Sequence, residues 1–255
     1  VIEIKKLSRS FGNLVAVDNI NLDVGNEIFG LLGPNGAGKS TTVMMLTTLL
    51  KPSSGAAKVC GYDIVKDSKK VRSKISYVPQ DMAVDRKLTG KENVMLYAKL
   101  YGVPNRDSRV EEVLEMMDLL ERAGDLVAGY SGGMRRRLEL AQALVHKPKV
   151  LFLDEPTLGL DVSGRKKIWE HIRMLKAEGM TIFMTTHYLE EAEKYCNRVA
   201  IIDKGKIVAV GSPENLTNSI GENASLNDVF LEKVKTPEEE VRFNSTQFRN
   251  MLRRR

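Results

Sequence analysis

The first segments of the chain alternate between apolar and polar positions. Ile2 and Ile4, then Ile20, Leu22 and Val24, share one parity with Asn21 and Asp23 between them, a period of two that predicts half-buried strands of an antiparallel sheet. From Glu27 to Leu32 the pattern becomes a short apolar run ending in a glycine-rich stretch at 33–38, and 41–50 then reads as a helix. Further apolar runs at 75–78, 150–153 and 180–184 lack alternation, the mark of strands covered on both faces of a mostly parallel sheet. Between Val84 and His146 the period turns helical. Thr89 with Glu92 and Ser108 with Glu111 each fit a capping box, and Val110, Val113, Leu114, Met117 and Leu120 recur on one helix face. This stretch is expected as a helical subdomain inserted between strands. Beyond the last core strand, 190–196 predicts a short helix, and 199–202 with 206–210 a hairpin turning at Lys204 and Gly205. The expected fold class is α/β, with a mostly parallel central sheet, an N-terminal antiparallel β-subdomain and the helical insert.

Composition narrows the picture only slightly. With 42% hydrophobic and 28% charged residues among 255, the chain has ordinary globular usage, which sets aside disordered, collagenous and coiled-coil classes. No apolar run approaches the roughly 18 residues a spanning helix needs, and Glu3, Lys5 and Lys6 spoil a signal-peptide core, so a soluble protein facing the cytoplasm is expected. Cys60 and Cys196 are too few for a disulfide framework or a zinc cluster and are expected as inert packing residues. The net charge of +6 selects no partner. The domain reading is one unit over 1–235 and a basic tail at 236–255, where Phe243, Phe248, Met251 and Leu252 are interleaved with arginines. The tail fits either a membrane- or partner-touching segment or a loose terminus, the commoner fate of chain ends.

The chemistry enters at residues 33–41. Gly33, Pro34, Asn35, Gly36, Ala37, Gly38, Lys39, Ser40 and Thr41 satisfy GxxxxGK[ST] between a predicted strand and a predicted helix. Such glycines let backbone N–H groups turn around an anion, the helix dipole adds positive potential, Lys39 reaches the outer phosphates and the Ser40 hydroxyl can ligate Mg²⁺. The strand at 150–153 delivers Asp154 and Glu155 at its C-terminal end, where ligands of open α/β sheets collect. Asp154 is expected to hold Mg²⁺ and Glu155 to polarise a water as general base. Alone, the pair would equally suit a simple helix cap; beside a phosphate loop the catalytic reading gains. Ser131, Gly132 and Gly133 precede a helix expected over 135–145 and make a second anion site. Arg135, Arg136 and Arg137 would lie in its first turn, against the macrodipole. At least two of the three are expected on a solvated basic face.

The order of residues 33–41, Gln80, Ser131 to Gly133, Asp154 with Glu155, Leu160 with Asp161, and His187 resembles the nucleotide-binding domain of the ATP-binding cassette (ABC) family over about 1–211. The resemblance implies ATP and Mg²⁺ as cofactors and a head-to-tail pair with a second copy or a paralogous cassette. Nucleotide on one chain's loop would be capped by the other's Ser131 to Gly133. It also implies that Phe11 stacks on adenine, Gln80 ligates Mg²⁺ and water and couples to a permease, His187 contacts the γ-phosphate, and Asp161 communicates between sites. Two motifs depart from the common pattern. The signature reads YSGGM rather than LSGGQ, so Met134 lacks an amide while Tyr130 brings a hydroxyl, and the loop from Thr157 to Asp161 reads TLGLD. With SLNDVFLEKV at 225–234, these features are similar to the multidrug-exporter branch typified by daunorubicin-resistance ATPases, in which cassette and permease are separate chains. A GTPase would need Asn-Lys-x-Asp, and a small-molecule kinase has no use for Gln80 and His187. The expectation is therefore an ATP-hydrolysing motor subunit driving export, held at the cytoplasmic face of the membrane by its permease, with no nucleic-acid partner. The alternative is a non-transport ABC ATPase acting as a soluble regulatory or nucleic-acid-associated factor.

Overall fold

The computed structural model describes residues 1–221 and 223–234; the tail expected at 236–255 lies outside them. Strands β1 (Ile2–Phe11) and β2 (Leu14–Val24) form an antiparallel hairpin, β4 (Ser54–Val59) adds to the other edge of β1, and β5 (Tyr62–Asp63) extends the sheet in the order β2-β1-β4-β5. The alternation is realised: Ile2, Ile4, Ile20, Leu22 and Val24 are buried while Glu3, Asn21 and Asp23 are exposed.

The second sheet holds β3 (Ile28–Leu32), β6 (Ile75–Val78), β7 (Val150–Asp154), β8 (Thr181–Thr186), β9 (Arg198–Asp203) and β10 (Lys206–Gly211) in the order β10-β9-β3-β8-β7-β6. Every neighbouring pair is parallel except the β9–β10 hairpin. Lys204 and Gly205 turn that hairpin with φ of 46° and 80°, as a tight turn matched to strand twist requires. The runs without alternation are explained by two cores, one on each face. Along β7, Val150 and Phe152 enter the core shared with the antiparallel sheet, and Leu151 and Leu153 enter the core beneath the helices.

Helix α1 (Lys39–Leu46) follows β3, and the short α2 (Ser68–Arg72) precedes β6. Between β6 and β7 lie α3 (Gly90–Leu100), α4 (Arg106–Met116) and α5 (Gly132–Leu144). After β7 come α6 (Val162–Ala177), α7 (Leu189–Tyr195), α8 (Pro213–Asn218) and α9 (Leu226–Lys233). The Thr89–Glu92 capping box is present in both directions. The one expected at Ser108 and Glu111 is not. Asn105, at φ 48°, takes the left-handed conformation its short side chain tolerates and starts α4 three residues earlier, without a side-chain cap. Leu120 is also off that helix face, because α4 ends at Met116 and Leu120 opens a short 3₁₀ turn, exposed. Helix α1 starts two residues earlier than expected and stops four earlier, with Thr48 left-handed beyond it. Cys60 is half-buried and Cys196 buried, and burial pushes both thiols up, Cys196 to about 12. Neither is a ready thiolate nucleophile. Among the described residues no helix is long and apolar enough to cross a membrane.

Candidate active site

The sheet order puts the C-terminal ends of β3, β8, β7 and β6 side by side. The residues just past these strand ends therefore share one edge: the loop 33–38 after β3, His187 after β8, Asp154 and Glu155 ending β7, and Gln80 after β6. The loop is tightly wedged. A Cβ on Gly33 would sit 2.3 Å from the Ile202 carbonyl oxygen, and one on Gly38, at φ 107°, 2.4 Å from that of Ala16. Only glycine permits this approach of β9 and the β1–β2 hairpin to the loop. The turn of β9–β10 holds it further, Gly205 N–H donating to the Ala37 carbonyl at 3.0 Å.

Lys39 opens α1 with Gly38 as cap. Its ammonium, buried within the loop's curl, donates to the carbonyls of Gly33 at 2.6 Å and Pro34 at 3.1 Å. Burial lowers its pKa, while the nearby Glu155 and Asp154 carboxylates pull it back up. Asp154 is 3% exposed and receives three hydroxyls: Ser40 at 3.4 Å, Tyr77 at 3.4 Å, and Thr185 on the register-paired strand. Burial and then the Asp154 charge raise the Tyr77 pKa, so its phenol stays a donor. Among the described residues no three His, Cys, Asp or Glu side chains cluster as a metal site; here one carboxylate stands beside hydroxyls.

Glu155 is buried with φ 52°, a left-handed conformation uncommon for a residue with a side chain. Its N–H is pinned by the carbonyl and hydroxyl of Thr185 at 3.2 and 3.1 Å. Its carboxylate Oε2 lies 2.5 Å from His187 Nδ1. The His187 side chain is 41% exposed against 8% for that of the glutamate, so an open imidazole edge meets an enclosed carboxylate.

Three expected residues stand further out. Phe11 ends β1 beside the Gly12 turn, half-buried, with the Arg9 guanidinium 4.6 Å over its ring. It rides on the same hairpin that touches Gly38. Gln80 is exposed just past β6. Asp161 caps α6, its Oδ1 accepting from the Gly164 N–H at 2.9 Å.

Ser131, Gly132 and Gly133 lie apart from the loop, in a cleft also lined by Gly159, Leu160, Asp161, Arg137 and Lys167. Helix α5 begins at Gly132, three residues before its expected start, because Ser131 caps it by accepting the Met134 N–H at 3.2 Å. That leaves the Gly132 and Gly133 amides as first-turn donors without helical acceptors. Met134 packs its side chain against the core. Tyr130 is buried and turns its hydroxyl into the helical insert, to the Arg122 carbonyl at 2.7 Å.

The arginines are not a solvated face. Arg136 is 3% exposed and bonds backbone carbonyls of Asp154, Glu155, Pro156 and Pro79. Arg137 binds the carbonyls of Met117 and Asp118, and Arg135 that of Tyr130. The earlier helix start moves all three past the first residues of α5 and turns Arg136 inward. Sequence reasoning also missed Thr185, Tyr77 and Glu191, whose carboxylate accepts from Thr157 at 2.7 Å and Trp169 at 3.0 Å. Thr185 and Tyr77 could be found only by knowing which strands flank β7.

The profile of the family described as ABC transporter matches residues 17–158. The chain is 39% identical over 246 residues to the linearmycin resistance ATP-binding protein LnrL of Bacillus subtilis, covering 92% of this chain and 79% of that protein. It is 43% identical over 218 residues to the daunorubicin resistance ATP-binding protein DrrA2 of Streptomyces coeruleorubidus, covering 84% and 68%. Among solved structures, the ATP-binding subunit of an ABC transporter superposes with a TM-score of 0.81 at 30% identity, over 91% of this chain and 98% of that one. A dimeric bacterial ABC transporter cassette gives 0.75 at 28% identity, over 83% and 98%.

Proposed function

Because this chain belongs to the ABC transporter family, as an ATP-hydrolysing subunit that drives export, we propose how its residues divide the work and what it exports. Residues 33–41 grip the triphosphate through backbone amides, and Lys39 exchanges its two loop carbonyls for phosphate oxygens. Ser40, Asp154 and Gln80 would hold Mg²⁺, and their hard, largely uncharged oxygen donors suit that ion. When bound, the ion neutralises charge on the phosphate oxygens. Glu155 takes the proton of the attacking water, and His187, hydrogen-bonded to it, orients the carboxylate and reaches the outer phosphate. Phe11 offers an aromatic face to the base.

The cleft at Ser131 to Gly133 caps the nucleotide of a second cassette, a copy of this chain or a paralogue, with Asp161 beside the junction. A separate permease holds the cassette pair at the cytoplasmic face of the membrane. The cassette spans 1–235, with the helical insert over about 84–146, and 236–255 is a basic tail beyond it. The cargo is a drug- or antibiotic-like compound, in keeping with the two resistance proteins to which the chain is similar. No role with nucleic acid is assigned.

The contact between Glu155 and His187, 2.5 Å apart across two parallel strand ends, carries the catalytic part of this reading. Glu155→Gln keeps the size of the side chain and removes its basicity. It is expected to retain ATP binding, to lower kcat by about 10²-fold or more, and to accumulate a nucleotide-bound dimer in size-exclusion chromatography. Steady-state hydrolysis equal to the parent's would remove Glu155 as the base. Stimulation of the ATPase by drug-like compounds when permease and cassette are reconstituted together tests the cargo.

A further inference from the structure

Arg136 and Glu139 sit one helical turn apart on α5, 3% and 4% exposed. The guanidinium has five N–H donors in a rigid fork, and each finds an acceptor. Nε donates to the Pro156 carbonyl at 3.0 Å. Nη1 donates to the Pro79 carbonyl at 2.8 Å and to Glu139 Oε2 at 2.9 Å, and Nη2 to the carbonyls of Asp154 at 3.0 Å and Glu155 at 3.1 Å. The other oxygen of Glu139 accepts the Ala83 N–H at 2.6 Å. The pair thus grips the segment carrying Gln80 from both sides, at Pro79 and at Ala83. It also holds three consecutive carbonyls where β7 ends, including that of Glu155 in its left-handed conformation. The same helix presents Ser131, Gly132 and Gly133 at its N-terminus.

Stability is a weak reason for such an arrangement, since a buried ion pair can often be replaced by packed apolar residues at no loss. A planar fork instead fixes relative positions, which a flexible ammonium cannot do. We propose that the Arg136–Glu139 pair is a positioning device: it makes α5, the Gln80 segment and the Asp154–Glu155 turn one rigid body, so that closure of a second cassette on Ser131 is transmitted to the hydrolytic carboxylate. This rests on the ATPase reading given above. All of the N–H donors of Arg136 are engaged by protein acceptors, so it acts through the residues it holds.

Two variants separate positioning from folding. The double variant R136M/E139L removes the fork and its counter-charge together and leaves an apolar pair. It is expected to melt below the parent, because four carbonyls and the Ala83 amide lose their partners, yet to stay folded at the assay temperature and to bind ATP as tightly in the absence of turnover. Its kcat is expected to fall about 10- to 100-fold, the scale of a displaced catalytic group, and the Ala83 amide to exchange its hydrogen about tenfold faster or more. R136K keeps the charge without the fork and is expected to lose turnover likewise, with ATP affinity intact. Parental kcat in the double variant, full rescue by lysine, or a loss of activity that merely follows the unfolded fraction would each overturn the proposal. If the double variant does not fold, R136K decides alone. A parent that fails to hydrolyse ATP would instead sink the underlying reading, so the two failures are told apart.

Discussion

At the scale of single residues, burial and its compensation decide most of what is chemically distinctive. His146 stacks on Tyr101 with ring centroids 3.8 Å apart, and its Nε2 lies 3.1 Å from the Ile75 carbonyl. A carbonyl only accepts, so Nε2 carries the proton, and the buried Nδ1 has no partner. Burial lowers the folded-state pKa below the ordinary 6.5, against the hydrogen bond to Ile75 and with help from Arg109. As pH falls through 6.5 the unfolded chain takes the proton while the folded chain refuses it, so stability drops until the folded pKa is passed; above 6.5 the group is silent. His146→Phe keeps the stacked ring and removes the titration. Urea unfolding on both sides of pH 6.5 should show the parent losing stability relative to the variant only on the acid side, and parallel curves would refute the assignment. Legibility in the sequence obeys the same division. Residues 33–41 and the Asp154–Glu155 pair can be read from spacing because their chemistry is local. Arg136 cannot, since three arginines at a helix start look solvated until the helix register shows that the middle one faces five protein acceptors.

Elements are set by where periodicity stops and what the backbone must do there. The strands and the helical insert are legible because period and capping agree, as at Thr89 with Glu92. Asn105 and Ser131 shift two helix starts by three residues because a left-handed turn and a serine cap outrank the apolar pattern. The antiparallel sheet holds a less visible case. The ladders of β1 with β2 and with β4 slip around Lys6, which has φ 49°. Gly55, at φ 79°, lies where a Cβ would come within 2.0 Å of the Lys6 carbonyl oxygen, whereas Gly61, at φ 81°, has open space. Alanine at Gly61 meets only the left-handed penalty, about 1–2 kcal/mol. Alanine at Gly55 adds a backbone collision and should cost about 1–3 kcal/mol more as the bulge rearranges. Denaturant midpoints of the two variants measure the difference directly, and equal losses would mean that the sheet yields freely at Lys6.

For the whole molecule, the cleft at Ser131 is lined by residues of α5, α6 and the loop before α6, and by none of residues 33–41. The loop 33–41 opens at the sheet edge. Under the proposed function a nucleotide site is completed across a two-fold axis, each copy lending its cleft to the other's loop. This makes a sharp complementation test. Ser131→Arg blocks the cleft and leaves the loop intact; Lys39→Ala damages the loop and leaves the cleft. Each variant alone has two defective sites per pair and is expected to be nearly inactive. Mixed in equal amounts, half of the pairs are hybrids holding one intact site, so activity should return to about a quarter of the parental rate. It should also decline on dilution as pairs dissociate. A mixture as inactive as its components would mean that the cleft and the loop serve no common site. Parental activity in Ser131→Arg alone would mean that the loop turns over nucleotide without a partner, and the role of the Arg136 link as a relay between chains would fall with it.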